Sequence, residues 1–260
     1  MNADVYTIEG NKTESVELPH AFSAEYREDL VRRALLSEQS KKLQPQGHSP
    51  LAGLQTTALY VGTYGGYRRG RHMGIAIRPR QKLGGGAMGD VRRIPSAVKG
   101  KRAHPHMTIK IIKERINKKE YIKALESAIA GCAMSSSINE RHPIGKQLPI
   151  IIEDSIESVT KTKDLLKILG SLGFSRDIEL SHKPKLLTGR GSKKRKFRRS
   201  LLLVVGDSKN IKKAGRNIAG VDVINVKSLN IETLAPGVLP RPTVWSKSAI
   251  SGLSAALKEM

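Results

Sequence analysis

Three short runs rich in apolar residues limit the folds open to this chain. They are residues 149–153 (PIIIE), 201–205 (LLLVV) and 221–226 (VDVINV). Strands without a polar face are typical of parallel sheets that helices cover on both sides. Segments with helical periodicity separate these runs, as in α/β proteins. The sequence therefore predicts a three-layer α/β/α core with a mainly parallel sheet of about four or five strands.

Helical periodicity predicts five helices around these strands. They span residues 23–42, 117–133, 161–172, 210–217 and a last stretch from about residue 246. Ser23 and Ser246 fit the N-cap positions of the first and the last helix. Near the beginning of the chain, residues 4–8 (DVYTI) alternate in the manner of a short strand.

Between residues 43 and 106 this periodicity stops, and the sequence becomes rich in Gly and basic residues. Residues 41–106 contain 13 Lys and Arg but one acidic residue, Asp90. A segment with this charge and few large apolar residues cannot form a core alone, and it is too long for an ordinary loop. We predict a globular domain formed by residues 1–42 and 107–260. Residues 43–106 are predicted to be an extended basic loop inserted in it, which becomes ordered on RNA.

A second basic segment covers residues 183–199, with nine Lys and Arg and no acidic residue. The whole chain has a formal net charge of +23, so the two basic segments account for almost all of it. Such an excess favours a polyanionic partner, whose phosphates attract Lys and Arg. Residues 189–200 (GRGSKKRKFRRS) precede the 201–205 run, which predicts a loop projecting from one edge of the core.

Other features restrict the class of protein. The single cysteine, Cys132, excludes an internal disulfide and a Cys-rich zinc site, and it fits a buried apolar position. The first 20 residues contain four acidic residues and no apolar run, unlike a signal peptide. No stretch approaches the roughly 20 apolar residues of a membrane span. We therefore expect a soluble, cytoplasmic protein without a membrane partner or a cofactor.

The pattern Gly84-x-Gly86-x-x-Gly89 matches the dinucleotide-binding fingerprint literally. That chemistry needs a strand before the glycines and a helix after them. Pro95 would stop a helix within a turn or two. Close approach of the backbone to RNA phosphates is therefore the favoured role of these glycines.

Three further patterns each allow a functional and a plain interpretation. His104 and His106 could bind a metal ion, but no Asp, Glu or Cys lies nearby, so contact with RNA is favoured. Glu153 and Asp154 follow a predicted strand, where α/β enzymes place catalytic groups, but no nucleophile or histidine accompanies them. A solvated strand end is favoured there. Tyr60, Tyr64 and Tyr67 lie among Gly and Arg, which favours stacking on bases over a place in a core.

Nearly the whole chain resembles one known family in sequence order. The residues that carry the resemblance are 51–57 (LAGLQTT), 62–63 (GT), 84–86 (GGG), 92–95 (RRIP), 99–105 (KGKRAHP), 127–130 (SAIA), 148–151 (LPII), 214–222 (AGRNIAGVD), 229–230 (LN), 234–237 (LAPG) and 245–250 (WSKSAI). The chain is similar to ribosomal protein L-four of the archaeal and eukaryotic type. The tip of its loop departs from the tighter Gly-Thr/Ser-Gly-Arg pattern of the family, and residues 72–79 look inserted.

The resemblance implies an α/β core on the subunit surface and a long loop threading through large-subunit rRNA. It also implies that the loop tip lines the nascent-peptide exit tunnel, beside the L-twenty-two family protein and next to the nascent peptide. The expected tunnel-lining residues are Tyr64, Gly65, Gly66, Tyr67, Arg68 and Arg69. The expected rRNA-binding residues are Tyr60, Arg68, Arg69, Arg71, Arg78, Arg80, Lys82, Arg92, Arg93, Lys99, Lys101, Arg102, His104, Arg190, Lys193, Lys194, Arg195, Lys196, Arg198 and Arg199.

The expected function is therefore structural. The chain would bind large-subunit rRNA, support subunit assembly and contact neighbouring ribosomal proteins, without catalysing a reaction. The alternative is an RNA-modifying enzyme of the methyltransferase kind, with an α/β catalytic domain and a basic RNA-binding arm. That alternative requires a cofactor pocket at the ends of the strands.

Overall fold

The computed structural model describes residues 1–60, 74–134, 138, 141–142, 144–189 and 192–259. Contacts within the chain divide it into two compact units. The first consists of Met1–Lys42 and Lys113–Met260, and the second is Leu43–Ile112. The first unit begins with β1 (Asn2–Tyr6), β2 (Lys12–Glu17) and α1 (Glu28–Lys41). Its remaining elements follow the second unit in the chain. They are α2 (Lys118–Ala133), β5 (Ile150–Ile152), α3 (Thr162–Ser171), α4 (Ser175–His182), β6 (Lys185–Gly189), β7 (Ser192–Lys196), β8 (Leu202–Val205), α5 (Ile211–Gly215), β9 (Asp222–Asn225), α6 (Ile231–Leu234), β10 (Thr243–Ser246) and α7 (Lys247–Glu259). The second unit contains β3 (Arg80–Lys82) and β4 (Met88–Val91).

The sheet of the first unit has the strand order β2-β1-β5-β10-β8-β9. Strand β2 pairs antiparallel with β1, and all other neighbours in this sheet are parallel. The predicted α/β class with a mainly parallel sheet is confirmed. The sheet has six strands because β2 and β10 join the four that the sequence indicated.

Apolar side chains fill both sides of this sheet, as the wholly apolar runs predicted. Successive residues of a strand point to opposite faces. Ile151 and Trp245 accordingly pack in one buried cluster with α1, α2 and α7, while Ile150 and Val244 pack in a second cluster with α3, α4 and α5. On the first side the rings of Phe22 and Trp245 meet edge to face, with their centroids 5.3 Å apart.

The predicted helix starts are confirmed at the end of the chain but not at its beginning. Ser246 accepts a hydrogen bond from the backbone N–H of Ala249 at 3.2 Å and caps α7 as predicted. Ser23 does not cap α1. Its hydroxyl donates to the carbonyl of His20 within a separate 3-10 turn, and α1 begins only at Glu28.

The sequence predicted a loop in the second basic segment, but the structure contains a hairpin there. Strands β6 and β7 pair antiparallel, with Leu186 opposite Arg195 and Lys185 opposite Lys196. The local run of positive charge concealed this hairpin, because cross-strand pairing is not visible in the composition of one strand. The chain leaves β7 at Lys196 and reaches the central sheet at Leu202.

The second unit contains little buried surface. Its short strands β3 and β4 form an antiparallel pair that the sequence analysis did not predict. Among its described residues, Ala58 alone is buried. Ile109 and Ile111 are each 81% exposed. No helix in the described part of the chain is long and apolar enough to cross a membrane.

Candidate nucleic-acid interface

The β6–β7 hairpin presents the second basic segment at the surface of the first unit. Arg195 and Lys196 lie at the end of β7 and are exposed, as is Arg199 three residues further on. Lys193 and Lys194 also lie on β7. Antiparallel pairing fixes the backbone of this strand, so its cations are held on a scaffold and not on a free tail.

Next to the end of β7 the first unit has an open groove of about 700 Å³. Its lining includes cationic, aromatic and proline side chains from four separate parts of the chain. The lining residues are Gln39, Arg141, His142, Lys196, Phe197, Arg198, Arg199, Glu232, Pro236, Gly237, Leu239, Pro240 and Arg241. Sequence reasoning found Lys196, Arg198 and Arg199 from the local run of charge. It missed Arg141, Phe197 and the 236–241 wall, because folding alone brings these distant segments together.

A buried carboxylate anchors this groove from inside the first unit. Asp177 on α4 has no solvent exposure, and it accepts hydrogen bonds from Ser200 and from Nδ1 of His142 at 3.0 Å. The Nη2 atom of Arg198 lies 3.3 Å from Asp177 Oδ1, and it also donates to the backbone carbonyl of Arg141. One carboxylate therefore connects α4 to both segments that carry the cations of the groove.

The electrostatics of this anchor favour the ionised carboxylate. Burial alone would raise the pKa of Asp177, but hydrogen bonds from His142 and Ser200, and the nearby charges of His142 and Arg198, lower it below its ordinary value. The positive charge of Arg198 is in turn partly neutralised by the buried carboxylate of Asp177. Arg198 contributes to the groove mainly by holding neighbouring residues in place.

The opposite wall of the groove is fixed by a buried arginine. The side chain of Arg241 donates from Nε to the carbonyl of Thr233 at 2.6 Å, and its Nη1 lies 2.7 Å from Asp222 Oδ2. Burial lowers the pKa of Arg241, while Asp222 opposes that effect. These contacts tie residues 236–241 to β9 and α6, so this wall is positioned by the sheet.

In the second unit the predicted rRNA-binding residues fall into two groups. The first group is exposed and consists of Tyr60, Arg78, Lys82, Lys99, Lys101, Arg102 and His104. Arg92 and Arg93 instead use their guanidinium groups within the unit. Arg92 donates to the carbonyl of Val98 at 2.8 Å, and Arg93 donates to that of Leu54 at 3.3 Å.

Arg80 also lies partly inside the second unit. Its backbone exchanges hydrogen bonds with Leu59, and its Nη2 reaches the carbonyl of Ala76 at 3.4 Å. Arg80, Arg92 and Arg93 are therefore placed to hold the turns of the unit, while the exposed residues present their charges to solvent. Eight predicted site residues lie outside the described part of the chain. They are Tyr64, Gly65, Gly66, Tyr67, Arg68, Arg69, Arg71 and Arg190.

The glycine pattern at residues 84–89 lies between two strands of the second unit. Gly84–Gly86 form a short turn between β3 and β4, and Gly85 has a φ of 71°. A strand follows the glycines here, whereas a dinucleotide fingerprint leads into a helix whose N-terminus meets the pyrophosphate. At Gly89 a Cβ atom would approach Gln81 Cβ to 3.2 Å, so this glycine serves the close pairing of β3 and β4.

At the carboxyl ends of the parallel strands, a glutamate fills the position where α/β enzymes bind their ligands. Glu157 accepts hydrogen bonds from the backbone N–H of Gly206 at 2.8 Å and from that of Asp207 at 3.1 Å. The hydroxyls of Ser246 and Ser248 donate to it at 2.8 and 2.6 Å. Burial would raise the pKa of Glu157, but these four hydrogen bonds lower it. Glu157 thus cross-links the ends of β8 and β10.

The two acidic residues that precede Glu157 also have structural contacts. Asp154 is exposed, but its Oδ1 accepts a hydrogen bond from the backbone N–H of Ser248 at 2.7 Å. Glu153 accepts one from the hydroxyl of Thr13 at 3.4 Å. The expectation of a merely solvated strand end was therefore incomplete for Asp154, which helps Ser246 to cap α7. Among the described residues no group of three His, Cys, Asp or Glu side chains could hold a metal ion.

Together these features define a class of protein, a nucleic-acid-binding α/β protein. At the carboxyl ends of its parallel strands, Glu157 and Asp154 make structural contacts. Its exposed basic residues are concentrated on the β6–β7 hairpin and on the second unit. Its sequence matches the model of the ribosomal protein L4/L1 family over residues 16–256. The chain belongs to this family, which confirms the resemblance found in the sequence. Members of the family are structural components of the ribosome, so the chain is not an enzyme and the methyltransferase alternative is not retained.

Archaeal relatives match almost the whole chain. The large ribosomal subunit protein uL4 of Methanocaldococcus jannaschii is 44% identical over 260 residues, which cover 97% of this chain and 98% of the relative. The proteins of the same name from Archaeoglobus fulgidus and Methanococcus vannielii are each 40% identical. Their alignments likewise cover 97% of this chain and 98% of the relative.

Proposed function

We propose that this chain is a structural constituent of the cytoplasmic large ribosomal subunit, where it binds rRNA and supports assembly. The observation that carries this proposal is the second unit, in which Ala58 is the one buried residue among those described. A polypeptide that buries so little apolar surface gains little of the free energy that ordinary domains gain from a core. Its order must come largely from a partner.

The charge of both basic segments identifies the chemistry of that partner. Lys82, Lys101 and Arg102 are exposed, and no carboxylate of the described residues forms an ion pair with them. The same is true of Arg195 and Lys196 on β7. Contacts between such cations and rRNA phosphates release counterions, which supplies affinity without requiring a binding pocket.

The finer part of the proposal concerns the tip of the loop. It places Tyr64, Gly65, Gly66, Tyr67, Arg68 and Arg69 at the wall of the nascent-peptide exit tunnel, beside the L-twenty-two family protein and in contact with the nascent peptide. Its support is the family resemblance of the flanking residues and the concentration of Gly, Tyr and Arg in this stretch.

Binding to large-subunit rRNA as a function of salt tests the proposed phosphate contacts. In the variant K82A/K101A/R102A, the negative slope of log affinity against log salt should become shallower by about 2–3, because each of the three lost contacts contributes roughly 0.7–0.9. The matched control K161A/K163A/K167A removes the same charge from exposed positions on and beside α3. An equal decrease in both variants would mean that net charge alone determines binding.

The tunnel placement needs a separate experiment. Most of the binding energy should come from phosphate contacts along the arms of the loop, so a chain shortened between Tyr64 and Arg71 should still enter subunits. The ribosomes should then differ in their response to stalling peptides or in macrolide affinity. Normal occupancy with unchanged tunnel readouts would remove the tip from the tunnel. Failure to enter subunits would place the anchoring energy at the tip.

A further inference from the structure

Phe197 is unlike the other phenylalanines of this chain. The sequence contains three, and Phe22 and Phe174 are almost fully buried, with exposed fractions of 4% and 0%. Phe197 is 51% exposed and lies between Lys196 and Arg198, directly after β7. A half-exposed aromatic ring gains little from its own fold, whereas a partner that covers it recovers that hydrophobic free energy.

The surroundings of Phe197 combine two kinds of surface. Phe197, Pro236, Leu239 and Pro240 supply apolar walls to the groove of about 700 Å³. Arg141, Lys196 and Arg199 supply positive charge to the same groove. This volume lies within the roughly 300–1,000 Å³ of sites that hold small ligands. The site therefore suits a group with one flat apolar part and one anionic part.

The cations of the groove differ in how they are neutralised. Arg198 faces Asp177, as described above. By contrast, no carboxylate of the described residues lies within ion-pair distance of Arg141, Lys196 or Arg199. Arg199 reaches a backbone carbonyl, that of Glu232, at 3.4 Å, and the Glu232 carboxylate itself pairs with Lys42. Within the part of the chain that the structure describes, the charges that face the groove thus have no carboxylate partner, while the buried network of Asp177 holds the segments that carry them.

We propose that this groove captures a single unstacked nucleotide of the large-subunit rRNA. Its base stacks on Phe197 and its phosphate lies against Arg141 and Arg199. Aromatic rings commonly bind unstacked bases of single-stranded RNA, and Arg is well suited to phosphate. The inference rests on the proposed rRNA binding and deepens it, because it adds a base contact to the first unit, where the cations of the second basic segment would contact only phosphates.

The test compares full-length F197L, F197Y and a control, L186A, for binding to large-subunit rRNA. Leu186 is a 58% exposed apolar residue on the same hairpin, so L186A controls for loss of surface apolar contact. F197L should bind about tenfold more weakly with an unchanged salt slope, which corresponds to about 1.4 kcal/mol and lies within the range for one stacked base. F197Y, which keeps the ring, and L186A should bind within about twofold of wild type.

A second readout identifies the nucleotide. Ultraviolet cross-linking of wild type to the rRNA should join Phe197 to one position, and R199A should both weaken that cross-link and lower the salt slope. If wild type binds rRNA with a steep salt dependence but F197L binds equally well, the groove inference is wrong and the proposed function stands. Capture of an acidic peptide in place of RNA would also overturn it. So would a loss in the unfolding free energy of F197L as large as its loss in binding free energy, because the weaker binding would then follow from a damaged fold. If wild type does not bind rRNA, the proposed function itself fails.

Discussion

Replacing Asp177 with Asn should destabilise the first unit, because this carboxylate is buried and has three partners. The hydrogen bonds from His142 and Ser200, and the ion pair with Arg198, each favour the charged form. Removing one member of a buried charged pair typically costs about 3–5 kcal/mol. Arg198 is partly exposed, with 35% of its side chain accessible, so solvent screens part of that cost. We expect a loss of about 3 kcal/mol, or roughly 6–12 °C in melting temperature.

Urea unfolding of the full-length chain, followed by Trp245 fluorescence, measures this difference. The folded-state pKa of Asp177 is lowered, so its stabilisation is present above the unfolded pKa of about 3.9 and is lost as pH falls through the folded value. The gap between wild type and D177N should therefore be full at pH 7 and should shrink below about pH 4. Glu179→Gln, an exposed change on the same helix, should cost less than about 0.5 kcal/mol. A D177N variant within about 0.5 kcal/mol of wild type at pH 7 would refute the proposed role of Asp177 as an anchor.

Three further predictions follow from burial and hydrogen bonding. Limited trypsin treatment of the free protein should cut first between Arg78 and Arg102, because basic residues are exposed there and Ala58 alone is buried among the described residues of the second unit. Early fragments from the central sheet would contradict this. Glu157→Gln should cost about 1 kcal/mol at pH 7, and because the pKa of Glu157 is lowered, the gap should close as pH falls below about 4.3; a pH-independent gap would count against the charge. Burial raises the pKa of Cys132 to about 12, so a thiol reagent should label it only in denaturant, and rapid native labelling would show that this site is open.

The central strands could be predicted from the sequence because their composition allows few alternatives. The runs at residues 149–153, 201–205 and 221–226 each contain a strand of the parallel sheet. Strands β5 and β8 are buried on both faces, while β9, at the edge of the sheet, is partly buried. Strand β10 was missed because Pro240 and Pro242 lie just before it and suggest a loop. Its burial depends on pairing with β5 and β8, which no local pattern reveals.

Part of the interface could be predicted for the same reason, since a run of cations is visible in the sequence. The groove was not predicted. Arg141, Phe197 and residues 236–241 come from separate segments of the chain. Asp177 lies on a short helix, and the partners of its carboxylate are 21 to 35 residues away in the sequence. A buried polar network is defined by its partners, so sequence spacing alone gives no signal for it. The tip residues 64–69 remain a prediction from the family resemblance.

The most direct test of the account is sedimentation of the protein with large ribosomal subunits at high salt. The second unit of an integral constituent becomes ordered within the rRNA, and the packing contacts made there depend little on salt. Such a protein should stay in the large-subunit peak of a gradient at about 0.5 M salt, although its phosphate contacts weaken. A factor of the same net charge that is held by phosphate contacts alone would leave that peak, because each counterion-releasing contact weakens as salt rises. Retention of wild type is the predicted result. Its complete release to the top of the gradient would contradict the assignment to the architecture of the subunit.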